Sequence, residues 1–469
     1  MKVTLLFVGI ASVGWNSLGR YPRWPEANMI HHGLASLSAS LKAAGHTVDL
    51  VDLRALRGWR HLRAEVRHRS SDVWGVSIMS PDLDIARQSI DLIRREKRDA
   101  VIVAGGVHPT VALDSLIDNL VIDYLVQGEG EIAFPALLAS LARGESSPRL
   151  IHGQPPDLDA LPFVDRELFD VRAELDHSFY PGVLGLEPPL VTIVAGRGCS
   201  YNCSFCQPAE RVLFGPAVRR RSVASVIAEL RELHACYAFR SLMIHDDCLL
   251  EDPAWMVEFA RAYRAEPFGQ PFYCQGRADL ICRHKDALAL LVEAGLRAIS
   301  IGFESGSDRV LRLLHKGTTV EQNRQAAAIC HRLGLRIFGN YMLGLPTETP
   351  EEMMDTARLV RDLGAAFSNV SLYAPSPGSD LYDWCRQQGL LAEDNPRGYY
   401  RNWAPGKVRG VDYAAAGRAM ELALGVKGWR RLAQRVAANR ALVAVASPLR
   451  RLGPARRAIA GVRRWVDGR

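Results

Sequence analysis

Cys199, Cys203 and Cys206 fall within eight residues in the string CSYNCSFC, and no cysteine precedes them in a chain of 469 residues. Thiolates are soft ligands that suit zinc and iron–sulfur clusters. A structural zinc site wants four ligands in paired spacing. The C-x3-C-x2-C string supplies three, with His245 a distant candidate for the fourth. A ferredoxin cluster also takes four cysteines. Three on a cubane leave one iron open, and an open metal position is a catalytic one. The other cysteines (Cys236, Cys248, Cys274, Cys282, Cys330 and Cys385) are scattered singly and read as core thiols. An odd total of nine in so long a chain argues for a reducing cytoplasm and against a disulfide framework.

The cysteines directly follow an apolar run, LVTIVAG, at 190–196. Five more runs read as buried strands: SLMIHDD (241–247), PFYCQGR (271–277), RAISIGFE (297–304), RIFGNYMLG (336–344) and FSNVSLYAP (367–375). Helical patterns fill the gaps, at 253–265 and 351–364 for example. Thr318 with Glu321 reads as a capping box. Thr349-Pro350-Glu351 reads as an N-cap, a first-turn proline and a first-turn acid. Six such units predict a (β/α)6 barrel three-quarters closed, over 189–390, in the manner of a TIM barrel. Chemistry is then expected at the strand C-terminal ends, where the cysteines lie.

Residues 1–145 show a second alternating pattern. Strands are expected at VTLLFV (3–8), TVDLVDL (47–53), VWGVSIM (73–79) and VIVAGG (101–106), with a helix ending at Gly45. Continuous apolar strands between helices mean a parallel sheet covered on both faces, a doubly wound Rossmann-like domain. Ligands of such sheets sit beyond the strand C-termini. Ser77, Ser80 and the string GGVHPT, with Gly105, Gly106 and His108, stand there. Residues 146–188, rich in Pro, Gly, Asp and Ser, read as a linker.

The net charge of +7 is uneven: residues 427–469 hold 12 Lys/Arg and one acid, so the rest of the chain is mildly acidic. This tail, within a C-terminal helical region of 391–469, interleaves apolar residues and arginines. It reads either as a solvated helical cap on the barrel or as a basic surface for peripheral contact with an anionic membrane. Aromatics for stacking on nucleic acid are few, and no nucleic-acid partner is expected. No run of about 18 apolar residues occurs, so no membrane span is expected. The expected location is the cytoplasm.

The motifs together resemble a known family. CSYNCSFC, with Phe205 before the last cysteine, is similar to the signature of radical S-adenosylmethionine (SAM) enzymes. GFESGSDRVLRLLHKGTT (302–319), GNYMLGLPTET (339–349) and PSPGS (375–379) resemble the later strand signatures of the subgroup with an N-terminal cobalamin-binding domain. SIMSPDLD, GGVHPT and QGEGE are similar to that subgroup's first domain.

The resemblance implies that Cys199, Cys203 and Cys206 hold a 4Fe–4S cluster whose open iron binds SAM. One-electron reduction, by an external donor such as flavodoxin or ferredoxin, cleaves SAM to methionine and a 5′-deoxyadenosyl radical. By position it implies that Asp246 and Asp247 meet the SAM ammonium. This chain has HDDC there, where many members carry Gly-Gly-Glu. Arg277 is expected to pair with the SAM carboxylate, Glu304 and Ser305 to hold its ribose or methionine, and Gly344 to admit its adenine. Ser77, Ser80, Gly105, Gly106 and His108 are expected near cobalamin. The D-x-H-x-x-G string that gives cobalt a lower histidine in other cobalamin proteins is absent. The implied function is C-methylation of an unactivated carbon in a small-molecule or lipid-linked substrate, as in class B radical SAM methyltransferases. The alternatives are a cyclase or rearrangement enzyme, like the anaerobic Mg-protoporphyrin monomethyl ester cyclases, and a non-catalytic cobalamin-binding regulator.

Overall fold

A computed structural model of the chain describes residues 1–9, 30–118, 121–175, 184–206, 210–375, 377–392 and 407–425. The first strands are β1 (Lys2–Phe7), β2 (Thr47–Asp52), β3 (Val73–Ser77), β4 (Val101–Gly105), β5 (Tyr124–Gln127) and β6 (Leu150–His152). They form one sheet in the order β2-β1-β3-β4-β5-β6, and every pairing is parallel. Alternate residues feed two cores. Val3 and Leu5 pack on one face with Leu34, Phe134 and Leu137, while Leu6 and Val76 pack on the other with Ile90 and Ile93. Burial on both faces is why the runs read as continuously apolar. The strand order reverses at β1 and β3, which opens a crevice beyond their C-terminal ends.

Two elements of this sheet escape the sequence reading. β5 is only four residues long, and β6 lies inside the segment read as linker, pairing Leu150–His152 with β5. Edge strands are short and half-exposed, so their apolar signal is weak.

The second unit holds β7 (Leu190–Ile193), a hairpin-like pair β8 (Gly196–Arg197) and β9 (Arg219–Arg220), then β10 (Ser241–Ile244), β11 (Phe272–Gly276), β12 (Leu296–Glu304), β13 (Arg336–Leu343) and β14 (Phe367–Leu372). β8 and β9 pair antiparallel. The other six form a parallel sheet in the order β14-β13-β12-β11-β10-β7, in which β7 and β14 do not pair. This is the expected six-stranded partial barrel. Outward residues such as Val191, Ile244, Cys274, Ile299 and Ile337 pack under the surrounding helices. Inward residues Leu190, Met243, Tyr273, Ala298 and Phe338 form a separate apolar floor inside it.

Helix signals held at one of the two expected caps. Thr349 caps Pro350–Asp362 in a reciprocal box with Glu352. The expected Thr318–Glu321 box lies one residue on, between Thr319 and Gln322, at the start of Val320–Arg332. Both pairs fit a T-x-x-E/Q spacing, and Thr318 is instead buried beside Lys316. The C-terminal region contributes a helix, Tyr413–Leu424, packed against Pro350–Asp362. Residues 427–469 lie outside the described residues, and among the latter no helix is long and apolar enough to cross a membrane.

Candidate active site

The cysteine loop leaves β8 at Gly198, whose φ of +92° and close neighbours Ala217 O and Phe214 Cβ, each 3.3 Å from where a Cβ would stand, require glycine. Ser204 then ties the loop to the barrel. Its N–H donates to Leu314 O at 2.9 Å, its hydroxyl to Leu313 O at 3.0 Å, and its carbonyl accepts from Leu381 N–H at 2.7 Å. Ser200 N–H donates to Glu251 Oε1 at 3.2 Å. The loop is thus anchored to three barrel units.

Charges converge beneath it. Arg277, just past β11, is 5% exposed and places Nη1 3.4 Å from Cys203 Sγ. The same guanidinium lies 3.4 Å over the Tyr201 ring, bonds Asp279 Oδ1 at 3.0 Å, and donates to Lys316 O. Lys316 Nζ is 2.9 Å from Glu304 Oε1 and 5.6 Å above the Phe205 ring. Burial opposes the Lys316 ammonium, but the Glu304 carboxylate outweighs it and holds the lysine charged. Glu304 itself sits at φ +62°, a conformation costly for a non-glycine residue. An added Cβ on Gly302 would overlap Glu304 Oε1, so this glycine makes room for the ion pair.

The three thiols fit a multi-iron cluster better than a single ion. Among the described residues no three His, Cys, Asp or Glu side chains converge as one ion requires. A cubane needs less convergence, because each thiolate binds a different iron. Burial pushes the Cys199 and Cys206 thiols up to about 12, so metal binding there must release protons. The cations Arg277 and Lys316 suit the negative charge of an iron–sulfur group bound by thiolates.

Other expected SAM residues are placed differently. Asp246 is buried and committed: it accepts Ala195 N–H at 2.7 Å and Arg220 Nη1 at 3.0 Å. That carboxylate fastens the strand before the cysteines and is not open to an ammonium group. Ser305 is also fully buried, with its hydroxyl taken up by Ser307 N–H at 3.1 Å and Thr356 Oγ1 at 3.2 Å. The space a Cβ on Gly344 would enter is flanked by Tyr413 and Val411, so its positive φ serves a turn packed on the C-terminal helix. Its N–H donates to Glu348 Oε2 at 2.7 Å. Asp247, by contrast, lines the cavity described next, together with Glu210. Burial raises both carboxyls; the Asp247 charge raises Glu210 further, and the Asp246 charge raises Asp247 while a hydrogen bond from Glu210 opposes it.

A cavity of about 480 Å³ lies between the two units. Ser77, Gly105 and Gly106 line it from the first sheet, and Arg197, Glu210 and Asp247 from the barrel. At Gly106 (φ +99°) a Cβ would stand 3.1 Å from Ser77 Oγ and 3.2 Å from Ile78 N. Strand ends stripped of side chains in this way fit a broad ring lying across them, as cobalamin would. Ser80 and His108 do not line it. His108 is 3% exposed, its Nδ1 3.0 Å from Ser80 Oγ and its Nε2 2.7 Å from Ser115 Oγ. Both ring nitrogens are thus occupied by neighbouring hydroxyls, and the ring packs behind the cavity wall.

The sequence reading passed over one further network. Arg197, two residues before Cys199, bonds Glu129 and Glu131 of the first domain at 2.5 and 2.7 Å, and Arg219 also pairs with Glu129. QGEGE stood out as a motif, but nothing local named its partner.

Residues 26–138 match the B12 binding domain and residues 193–360 the Radical SAM superfamily. The chain is a cobalamin-dependent radical SAM enzyme, with a 4Fe–4S cluster, SAM and cobalamin as its cofactors. It is 24% identical to an uncharacterized methyltransferase of Pyrococcus horikoshii over 78% of this chain and 81% of that one. It is 26% identical to the anaerobic magnesium-protoporphyrin IX monomethyl ester cyclase of Rubrivivax gelatinosus, over 76% of this chain and 66% of the cyclase. The hopanoid C-3 methylase of Methylococcus capsulatus is 24% identical over 75% and 67%. Among solved structures, the radical SAM methyltransferase TsrM from Kitasatospora setae shares the fold with a TM-score of 0.63 at 19% identity, over 90% and 89% of the two chains.

Proposed function

We propose that this enzyme transfers a methyl group to carbon in a small-molecule substrate, drawing electrons from an external low-potential donor. The observation that carries the reading is the shared cavity: the glycine-lined strand ends meet there the residues that flank the cysteine loop, Arg197 before it and Glu210 after it. Methyl carrier and radical source would thus act on the same substrate without release of an intermediate. When bound, SAM on the cluster supplies a hydrogen-abstracting radical and cobalamin a transferable methyl group.

The chain's own residues orient and shield. Cys199, Cys203 and Cys206 would hold the cluster, with Phe205 packed beside it under Lys316. Arg277, close to Cys203, would balance the cluster's charge and meet the SAM carboxylate. Glu304, held by Lys316, would set the ribose or methionine. Ser77, Gly105 and Gly106 would carry the corrin. Arg197 keeps the two halves in register.

The test is product analysis on anaerobically reconstituted protein given SAM, cobalamin, a low-potential reductant and an extract of source-cell metabolites. S-adenosylhomocysteine together with 5′-deoxyadenosine supports methyl transfer. 5′-Deoxyadenosine alone supports ring formation or rearrangement, the activity named for the cyclase relative. Neither product makes the protein a regulator. Residues 427–469, with 12 Lys/Arg, extend the reading to peripheral membrane contact, which co-sedimentation with anionic liposomes checks against a chain ending at Leu424.

A further inference from the structure

Two histidines approach one another from the two domains. His32 begins the helix His32–Ala43, and His245 follows β10, with ring centroids 6.1 Å apart. Both line the interdomain cavity. His32 Nε2 bonds Thr192 Oγ1 of β7 at 3.0 Å, while His32 Nδ1 is buried with no partner among the described residues. His245 Nε2 is buried and unpartnered in the same way. The function proposed above uses neither ring. Both are neutral: burial pulls His245 down to about 4 and His32 well below the imidazole range.

The unpaired nitrogens need a ligand of definite chemistry. A buried donor or acceptor left unsatisfied costs about 1–3 kcal/mol. A hydrocarbon would leave both in that state. An anion would need a counter-charge, and among the lining residues the acids Glu129, Glu131, Glu210, Glu229 and Asp247 outnumber Arg197 and Arg221, both of which are already paired with them. On the barrel side the charged groups that line the cavity with His245 include the carboxyls Asp247 and Glu210, which would repel an anion. A neutral imidazole nitrogen is either an N–H or a lone pair, by tautomer. Two rings can therefore offer one of each, and with ring centres 6.1 Å apart both stand on the wall of the same cavity.

We propose that His32 and His245 together bind an uncharged carboxamide, one ring nitrogen donating to its carbonyl oxygen and the other accepting from its NH2. Two sources present that group in this cavity: a rim amide of the corrin, which rests on the cobalamin reading, and an amide of the substrate.

The experiment uses full-length, cluster-reconstituted protein without cobalamin, labelled with heavy nitrogen in its histidine rings. Acetamide and, separately, acetate are titrated while the ring-nitrogen resonances are followed by NMR. The two signals are assigned by their loss in His32→Phe and His245→Phe, or in the Gln variants should a Phe variant misfold. The expected result is a saturable shift of both signals with acetamide and none with acetate. No shift with acetamide, or an equal shift with acetate, overturns the proposal. Hydroxocobalamin titration, read by visible absorption, then separates the sources. Affinity lowered about tenfold or more in each variant assigns the corrin amide. Unchanged affinity, with the acetamide shift intact, assigns a substrate amide. If wild-type protein takes up no hydroxocobalamin but responds to acetamide, the histidine pair stands and the cobalamin reading falls.

Discussion

Arg197 Nη2 lies 2.7 Å from Glu131 Oε1, across 66 residues of sequence and across the boundary between the two domains. The same guanidinium reaches Glu129, and the side chains of both acids are about 5% exposed. The contact stands two residues before Cys199, so the cysteine loop and the first domain are fixed to each other through one planar cation. Arginine suits this place because its fork serves two carboxylates at once.

Replacing Arg197 by Met should therefore cost about 3–5 kcal/mol, the usual penalty for stranding a buried carboxylate. Arg197→Lys should recover only part of it, since an ammonium is a point charge. Urea unfolding of both variants measures this. A loss under about 1 kcal/mol in the Met variant would mean that Arg219 alone neutralises the acids.

Replacing Cys199, Cys203 and Cys206 together by Ala should abolish iron and sulfide binding after anaerobic reconstitution. Cys236→Ala should leave both intact, because Cys236 is an isolated, exposed thiol on the helix Val223–Tyr237. Iron and sulfide assays decide the matter, and a triple variant with its full iron would sink the assignment.

Gly302→Ala should separate Glu304 from Lys316. The new methyl would overlap Glu304 Oε1 and stand 2.8 Å from Lys316 Nζ, and both side chains are buried. Overpacking of this kind costs about 1–3 kcal/mol, with the cost of the displaced charges added. The variant should melt lower than wild type, and in reconstituted protein its cluster should show a changed electron paramagnetic resonance spectrum. An unaltered melting temperature would show that the pair can move aside.

Glu348 gives a pH dependence. Burial pushes its carboxyl up to about 8, against the pull of the Leu345 and Gly344 N–H groups that it accepts. A raised folded pKa means that the folded chain holds the proton more tightly than the unfolded one. Its contribution is complete below the unfolded value near 4.5 and is lost as pH rises through about 8. Glu348→Gln keeps an acceptor for the two N–H groups and cannot ionise. Its stability relative to wild type should therefore rise by the order of a few kcal/mol between pH 5 and 8. Denaturation midpoints at several pH values test this, and parallel wild-type and variant curves would refute it.

The sequence by itself determined the parts whose cause is local. Cys199, Cys203 and Cys206 share one loop, so their spacing alone limits what they can hold. All six barrel strands and the first four strands of the N-terminal sheet were legible, because residues buried on both faces must be apolar throughout. The Thr349 cap was legible because its partner is three residues away. Short edge strands such as β6 were not, having little buried face to show. The tertiary structure alone decided which charges meet. Asp246 faces Arg220 and Arg197 faces Glu131, and it is these pairings that made Asp246 a fastener and Arg197 a latch. Carboxylate roles depend on what lies within about 4 Å, and elements far apart in sequence supply those neighbours only after the two sheets have packed.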